Sequence, residues 1–82
     1  MAEPIALDAR LMAIAELAMQ AVEEKAHPCV ADVGCDHGYL TAYLLETCPQ
    51  MTALACDVSA PSLDKARRLC YALAKSALLW RR

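Results

Sequence analysis

Acids, glycines, a thiol and an imidazole crowd into one short segment, V-A-D-V-G-C-D-H-G-Y-L, Val30 to Leu40. It holds both glycines of the chain, two carboxylates (Asp32 and Asp36), the Cys35 thiol and one of the two histidines, His37. Small and β-branched residues precede Gly34, and helix-like apolar spacing follows Gly38. A strand that turns on a glycine into a helix N-terminus is a general device for holding a nucleotide. The glycine permits the sharp turn, and the first N–H groups of the helix lack intrahelical partners and can face a ligand. A second glycine lets the helix pack close. Asp57 ends the next apolar run about twenty residues on, where a carboxylate can accept from both ribose hydroxyls. Each of these residues also has a plainer role: Asp32 and Asp57 as strand-end caps, the glycines as turn residues, His37 as a loop or helix-cap histidine. Cys35 reads as a small buried residue rather than a nucleophile, and Tyr39 and Tyr43 as packing residues.

These positions need elements to hold them. Leu7, Leu11, Ile14, Ala15, Ala18 and Val22 recur at three- and four-residue steps, one face of an amphipathic helix, with Asp8 as its N-cap. His27-Pro28 ends it, because the residue before a proline is pushed out of the α region. Cys29 to Val33 reads as a buried strand, Gly34 to Gly38 as a loop and Tyr39 to about Thr47 as a helix closed by Pro49. Met51 to Val58 reads as a second buried strand. Ser59-Ala60-Pro61-Ser62 opens a last helix, whose stripe of Leu63, Ala66, Cys70, Leu73 and Ala77 runs nearly to the C-terminus. The order helix, strand, helix, strand, helix, with strands apolar on both faces, predicts an α/β protein built on a parallel pair. No third strand is expected after Leu69.

The 82 residues make at most one small domain. Apolar residues reach 59%, high for so short a chain, and Phe is absent. Part of that surface is expected to be covered by something else, so self-association is anticipated. A net charge of −2 argues against a strong nucleic-acid binder, although basic residues lean toward the C-terminal end: Lys65, Arg67, Arg68, Lys75, Arg81 and Arg82. The five cysteines are irregularly spaced and form no C-x-x-C pair, so buried reduced thiols are expected, with no metal and no obligatory disulfide. Glu3 and Asp8 stand where a signal peptide carries basic residues, and no apolar run approaches the ~18 residues of a membrane helix. A soluble cytoplasmic protein is expected.

The spacing D-x-G-x-D-x-G, Asp32 to Gly38, is not the dinucleotide G-x-G-x-x-G. It resembles motif I of class I S-adenosylmethionine-dependent methyltransferases, (D/E)-x-G-x-G-x-G, with Asp36 in place of the middle glycine. The whole stretch looks like the version in the bacterial tRNA adenine(22)-N1-methyltransferase family, the TrmK family. That family has L-x-x-R-L-x-x-I-A upstream, and this chain has L-D-A-R-L-M-A-I-A, Leu7 to Ala15. It continues with an apolar strand ending D-V and a G-P-L-type turn, and this chain has A-L-A-C-D-V-S-A-P-S-L, Ala53 to Leu63. The likeness covers roughly 5–68 and then fades.

The resemblance implies a partial Rossmann-like fold, the incomplete N-terminal part of a methyltransferase domain over 1–82, with S-adenosylmethionine as cofactor and tRNA as the partner of the full-length family. It implies that Asp32 orients the loop and the cofactor's amino group. Gly34 and Cys35 would give backbone contacts to the methionine part, with Asp36 and His37 lining the pocket beside it. Asp57 would hold the ribose hydroxyls, Val58 would pack on the adenine and Arg10 would meet the cofactor carboxylate. The catalytic residues stay unknown. Two alternatives remain open: a non-catalytic fragment, and another Rossmann-like nucleotide-binding module.

Overall fold

The computed structural model describes residues 6–72 and 78–81. Helix α1 spans Ala9–Val22, strand β1 Cys29–Val33, helix α2 Tyr39–Thr47, strand β2 Thr52–Asp57, helix α3 Ala60–Ala72 and strand β3 Leu78–Arg81. The expected α/β order is present, with one strand more than the sequence predicts. The strands form one parallel sheet in the order β1-β2-β3. Cys29 pairs with Thr52 and Val33 with Cys56, while Leu54 pairs with Leu78 and Asp57 with Arg81.

Strand β3 corrects the expectation that no third strand follows Leu69. No glycine or proline separates the stripe of α3 from Leu78, so the apolar pattern reads as continuous helix. The free backbone edge of β2 decides otherwise, because an edge strand offers a row of N–H and C=O groups to any extended segment that reaches it. Of the residues named from the sequence, Glu3, Leu73, Lys75, Ala77 and Arg82 lie outside the described residues.

Local chemistry sets the helix starts. Asp8 caps α1, its Oδ1 accepting from Leu11 N at 2.8 Å. Such a cap stabilises a helix by about 1 kcal/mol. Ser59 does the same for α3, its Oγ accepting from Ser62 N at 3.3 Å. Helix α2 starts on Gly38, at φ 82°, which offers no side chain to cap it.

The core lies where the helices meet one face of the sheet. Ala15 and Val22 of α1 pack with Ala42, Leu44 and Leu45 of α2, Met51 and Ala53, and Cys70 of α3. A smaller cluster, Cys35, Ala55, Leu63 and Ala66, sits under the loop that follows β1. Right-handed crossovers place α2 and α3 on the same side of such a sheet. The opposite face explains a second correction. β1 is not buried on both faces: Cys29, Ala31 and Val33 are exposed and Val30 and Asp32 half-buried. Ile14, expected in the buried stripe of α1, is also exposed. Among the cysteines, Cys35, Cys56 and Cys70 are buried, but Cys29 is exposed and Cys48 half-buried, and all five are free thiols. Among the described residues, no helix is long and apolar enough to cross a membrane.

Candidate functional site

The site is built where β1 and β2 end side by side. Gly34 N and Cys35 N both donate to the carbonyl of Cys56 at 2.8 Å, which turns the chain off β1 across the end of β2. Gly34 adopts φ 73°, and a Cβ placed there would have nothing within 4 Å. The turn is therefore open on the ligand side. Asp36 follows in the left-handed region at φ 53°, a conformation that aspartate tolerates better than most residues. Its N–H donates to Asp57 Oδ2 at 2.9 Å. Gly38 then brings α2 against α3 so closely that a Cβ there would lie 2.5 Å from Ala66 Cβ.

Asp57 thus joins the two strand ends. Its Oδ1 accepts from Ser59 N at 2.9 Å while Oδ2 holds Asp36. The N–H groups of Ser59, then Asp36 and Val58, hold its carboxyl below the ordinary range. A carboxylate has about four lone-pair positions, so these N–H groups do not saturate it. Asp32 is fixed differently: it accepts from the fully buried Thr41 hydroxyl at 2.7 Å, tying the end of β1 to the first turn of α2. Burial, followed by the nearby Asp32 and Asp57 charges, pushes the Cys35 thiol up to about 11, so it is protonated at neutral pH and is no nucleophile. Its Sγ donates to Asp36 O at 3.7 Å.

A cavity of about 90 Å³ opens beside this loop, lined by Arg10, Asp32, Gly34, Cys35, Asp36 and His37 together with Leu11, Tyr39 and Leu40. Six of the eight residues singled out from the sequence therefore share one wall. Asp57 and Val58 do not line the cavity but stand next to it, at the end of β2, with Val58 66% exposed. The volume is below the roughly 300–1,000 Å³ of a ligand pocket. It has room for only a small group. The N–H groups of Gly34 and Cys35 are engaged by Cys56, and the Cys35 carbonyl accepts from Gly38 N, so these groups shape the turn. Thr41 and Lys65, whose Nζ lies 3.5 Å from His37 Nε2, were not found from the sequence. The one available signal for Thr41 is a hydroxyl on an otherwise apolar face of α2.

A parallel sheet with a glycine turn after its first strand, an acid at the end of the second and a cavity beside the turn is the arrangement of Rossmann-like nucleotide-binding domains. A family model described as a methyltransferase domain matches residues 7–76, and the chain belongs to that family. No curated protein matches it. Among solved structures, it is similar to TrmK of M. capricolum in complex with S-adenosylhomocysteine, at 25% identity and a TM-score of 0.76, over 93% of this chain and 32% of that one. A coclaurine N-methyltransferase bound to N-methylheliamine and S-adenosylhomocysteine matches over 100% of this chain and 24% of its own, at 16% identity and a TM-score of 0.75. An S-adenosylmethionine-dependent methyltransferase from Clostridium acetobutylicum matches at 19% identity and a TM-score of 0.70, over 93% of this chain and 30% of that one. The last two similarities concern the fold. The chain spans no more than about a third of each.

Proposed function

We propose that this domain binds S-adenosylmethionine between the loop after β1 and Asp57, as the cofactor half of a tRNA (adenine-N1)-methyltransferase. The observation that carries the proposal is the Asp36 N–Asp57 Oδ2 hydrogen bond of 2.9 Å, which sets the loop and the carboxylate as two sides of one crevice at the C-terminal strand ends. Ligands of open parallel sheets bind there. When bound, the cofactor supplies an electrophilic methyl group on sulfonium, and the protein's share is orientation and proximity.

The residues fit such a group. Asp32, anchored by Thr41, faces the cavity as an acceptor for an amino group. Arg10, on the same wall, is the cation for a carboxylate. The bare Gly34 admits the chain between them. Asp57 sets a carboxylate beside the loop for a ribose hydroxyl, and exposed Val58 offers an apolar seat for a purine. Asp36 and His37 close the side of the cavity. A dinucleotide fits less well, because Asp36 carries a side chain where a pyrophosphate needs bare backbone.

The choice of tRNA adenine rests on the three segments that resemble the TrmK family and on the similarity to M. capricolum TrmK. The exposed sheet face at Ala31 and Val33 favours self-association of the isolated chain. Calorimetric titration of S-adenosylhomocysteine into wild type and Asp57→Ala tests the cofactor site. Binding by wild type and a loss of at least about tenfold in the variant are expected from the lost charge-assisted hydrogen bonding. Equal affinity would remove Asp57 from the site, and no binding to either would reject the cofactor.

A further inference from the structure

His37 and Tyr39 face two cavities. One is the cavity already described. The other, about 340 Å³, is completed by Lys65 and Leu69 of α3. The two spaces therefore share a wall of two rings. The rings stand nearly perpendicular, 70° apart with centroids separated by 6.2 Å, and Tyr39 is half-exposed. Lys65 Nζ sits 3.5 Å from His37 Nε2. Among the described residues no carboxylate pairs with Lys65. Its neighbour Asp64 is taken by Arg67 and Arg68, and Asp36 Oδ1 reaches the same His37 Nε2 at 3.5 Å without forming an ion pair with Lys65. The half-buried Leu69 forms an apolar floor.

We propose that this second cavity binds one nucleotide of a single-stranded RNA acceptor, with its phosphate on Lys65 and its base against the Tyr39 ring. The assignment rests on the methyltransferase function proposed above and adds a location for the strand. A cation without a carboxylate partner, an accessible aromatic face and an aliphatic floor are the elements by which proteins hold unpaired nucleotides. The volume suits a mononucleotide and lies within the usual range for ligand pockets. Because His37 and Tyr39 form the shared wall, a nucleotide seated here places the adjoining one at the mouth of the cofactor cavity. The chain's net charge of −2 does not oppose this, since the contact needs one local cation rather than a basic face.

The test is fluorescence anisotropy with a short labelled single-stranded oligoadenylate, titrated with the full chain between about 50 and 200 mM salt. Lys65→Gln is expected to weaken binding and to reduce the salt slope by about 0.7, the value for one single-strand phosphate contact. Lys65→Arg should restore both. Tyr39→Ala should weaken binding about 5- to 160-fold, with the slope unchanged. Circular dichroism confirms that each variant is folded. S-adenosylhomocysteine calorimetry on the same samples separates the two proposals. Lys65→Gln should bind it like wild type, and absence of cofactor binding beside the expected oligonucleotide effects would reject the cofactor site while supporting the nucleotide site. No oligonucleotide binding by wild type, or wild-type binding by both Lys65→Gln and Tyr39→Ala, would overturn the proposal. Competition by inorganic phosphate as effective as by unlabelled oligoadenylate would also overturn it, by showing a simple anion site.

Discussion

Replacing Gly38 with alanine should unfold much of what this chain can fold. Two separate costs fall on that position. At φ 82° a Cβ is disfavoured for backbone reasons alone, by about 1–2 kcal/mol. The new methyl would also sit 2.5 Å from Ala66 Cβ and 2.8 Å from Ala66 Cα, so α2 and α3 would have to separate. Overpacking of that kind costs about 1–3 kcal/mol more. The sum, about 2–5 kcal/mol, is comparable with the whole stability of a domain this small, which is about 4–12 kcal/mol at usual values per residue. Gly34→Ala is the internal control. Its φ of 73° is similar, but nothing lies within 4 Å of the added Cβ, so only the backbone cost of about 1–2 kcal/mol should appear. Urea unfolding followed by far-UV circular dichroism measures both. Ala66→Gly costs about 1 kcal/mol in helix propensity on its own. Combined with Gly38→Ala it should recover part of the loss, since the nearer of the two contacts disappears. Equal destabilisation at Gly34 and Gly38, with strict additivity in the double variant, would refute the close approach of α2 and α3.

Thr41→Val keeps the shape of a fully buried side chain but removes its hydrogen bond to Asp32, and should cost about 1.5–3 kcal/mol in thermal unfolding; an unchanged midpoint would deny that bond a role. Asp57 has a carboxyl lowered from 3.8 in the fold, so its contribution to stability is fully present above that value and is lost as pH falls through the lower folded value. The stability difference between wild type and Asp57→Asn, followed by urea midpoints from neutral pH downward, should accordingly shrink below about pH 4. At pH 8 iodoacetamide should modify exposed Cys29 well before Cys35, whose thiol is buried and raised to about 11; peptide mapping in which Cys35 reacts first would contradict the site's geometry.

Much of the frame is legible in the sequence, because each of its signals is local. Cys29–Val33 and Tyr39–Thr47 are bounded by Pro28, Gly34, Gly38 and Pro49, and the structure places both elements at those limits. Asp8 and Ser59 announce helix starts by residue type alone. The spacing of Asp32, Gly34 and Asp57 likewise points to one crevice, and the structure brings the loop and Asp57 into contact. What escaped depends on pairing between distant segments. β3 lacks any punctuation before it and exists through the edge of β2. The exposure of Ala31 and Val33 follows from which side the helices occupy, which an apolar run cannot encode. The engagement of Gly34 N and Cys35 N by Cys56 depends on strand register. Lys65 meets His37 across 28 positions of sequence, through the packing of α3 beside α2.

The order β1-β2-β3 has a consequence for how the chain is made. Spatial order in the sheet repeats the order of synthesis, so each strand that leaves the ribosome finds its partner already outside. β2 follows β1 by roughly two dozen residues, a few seconds of translation at usual speeds. Among the described residues, no strand has to wait for a distant segment, and no already paired neighbour has to part to admit a later one. Contacts made through successive crossovers keep sequence separations modest, which favours fast closure over long searches. The loop between β1 and α2 gains its anchor only when Asp57 arrives, so the crevice takes its shape after β1 and β2 have joined. Assembly is vectorial, and the binding loop is set from behind by the strand that follows it.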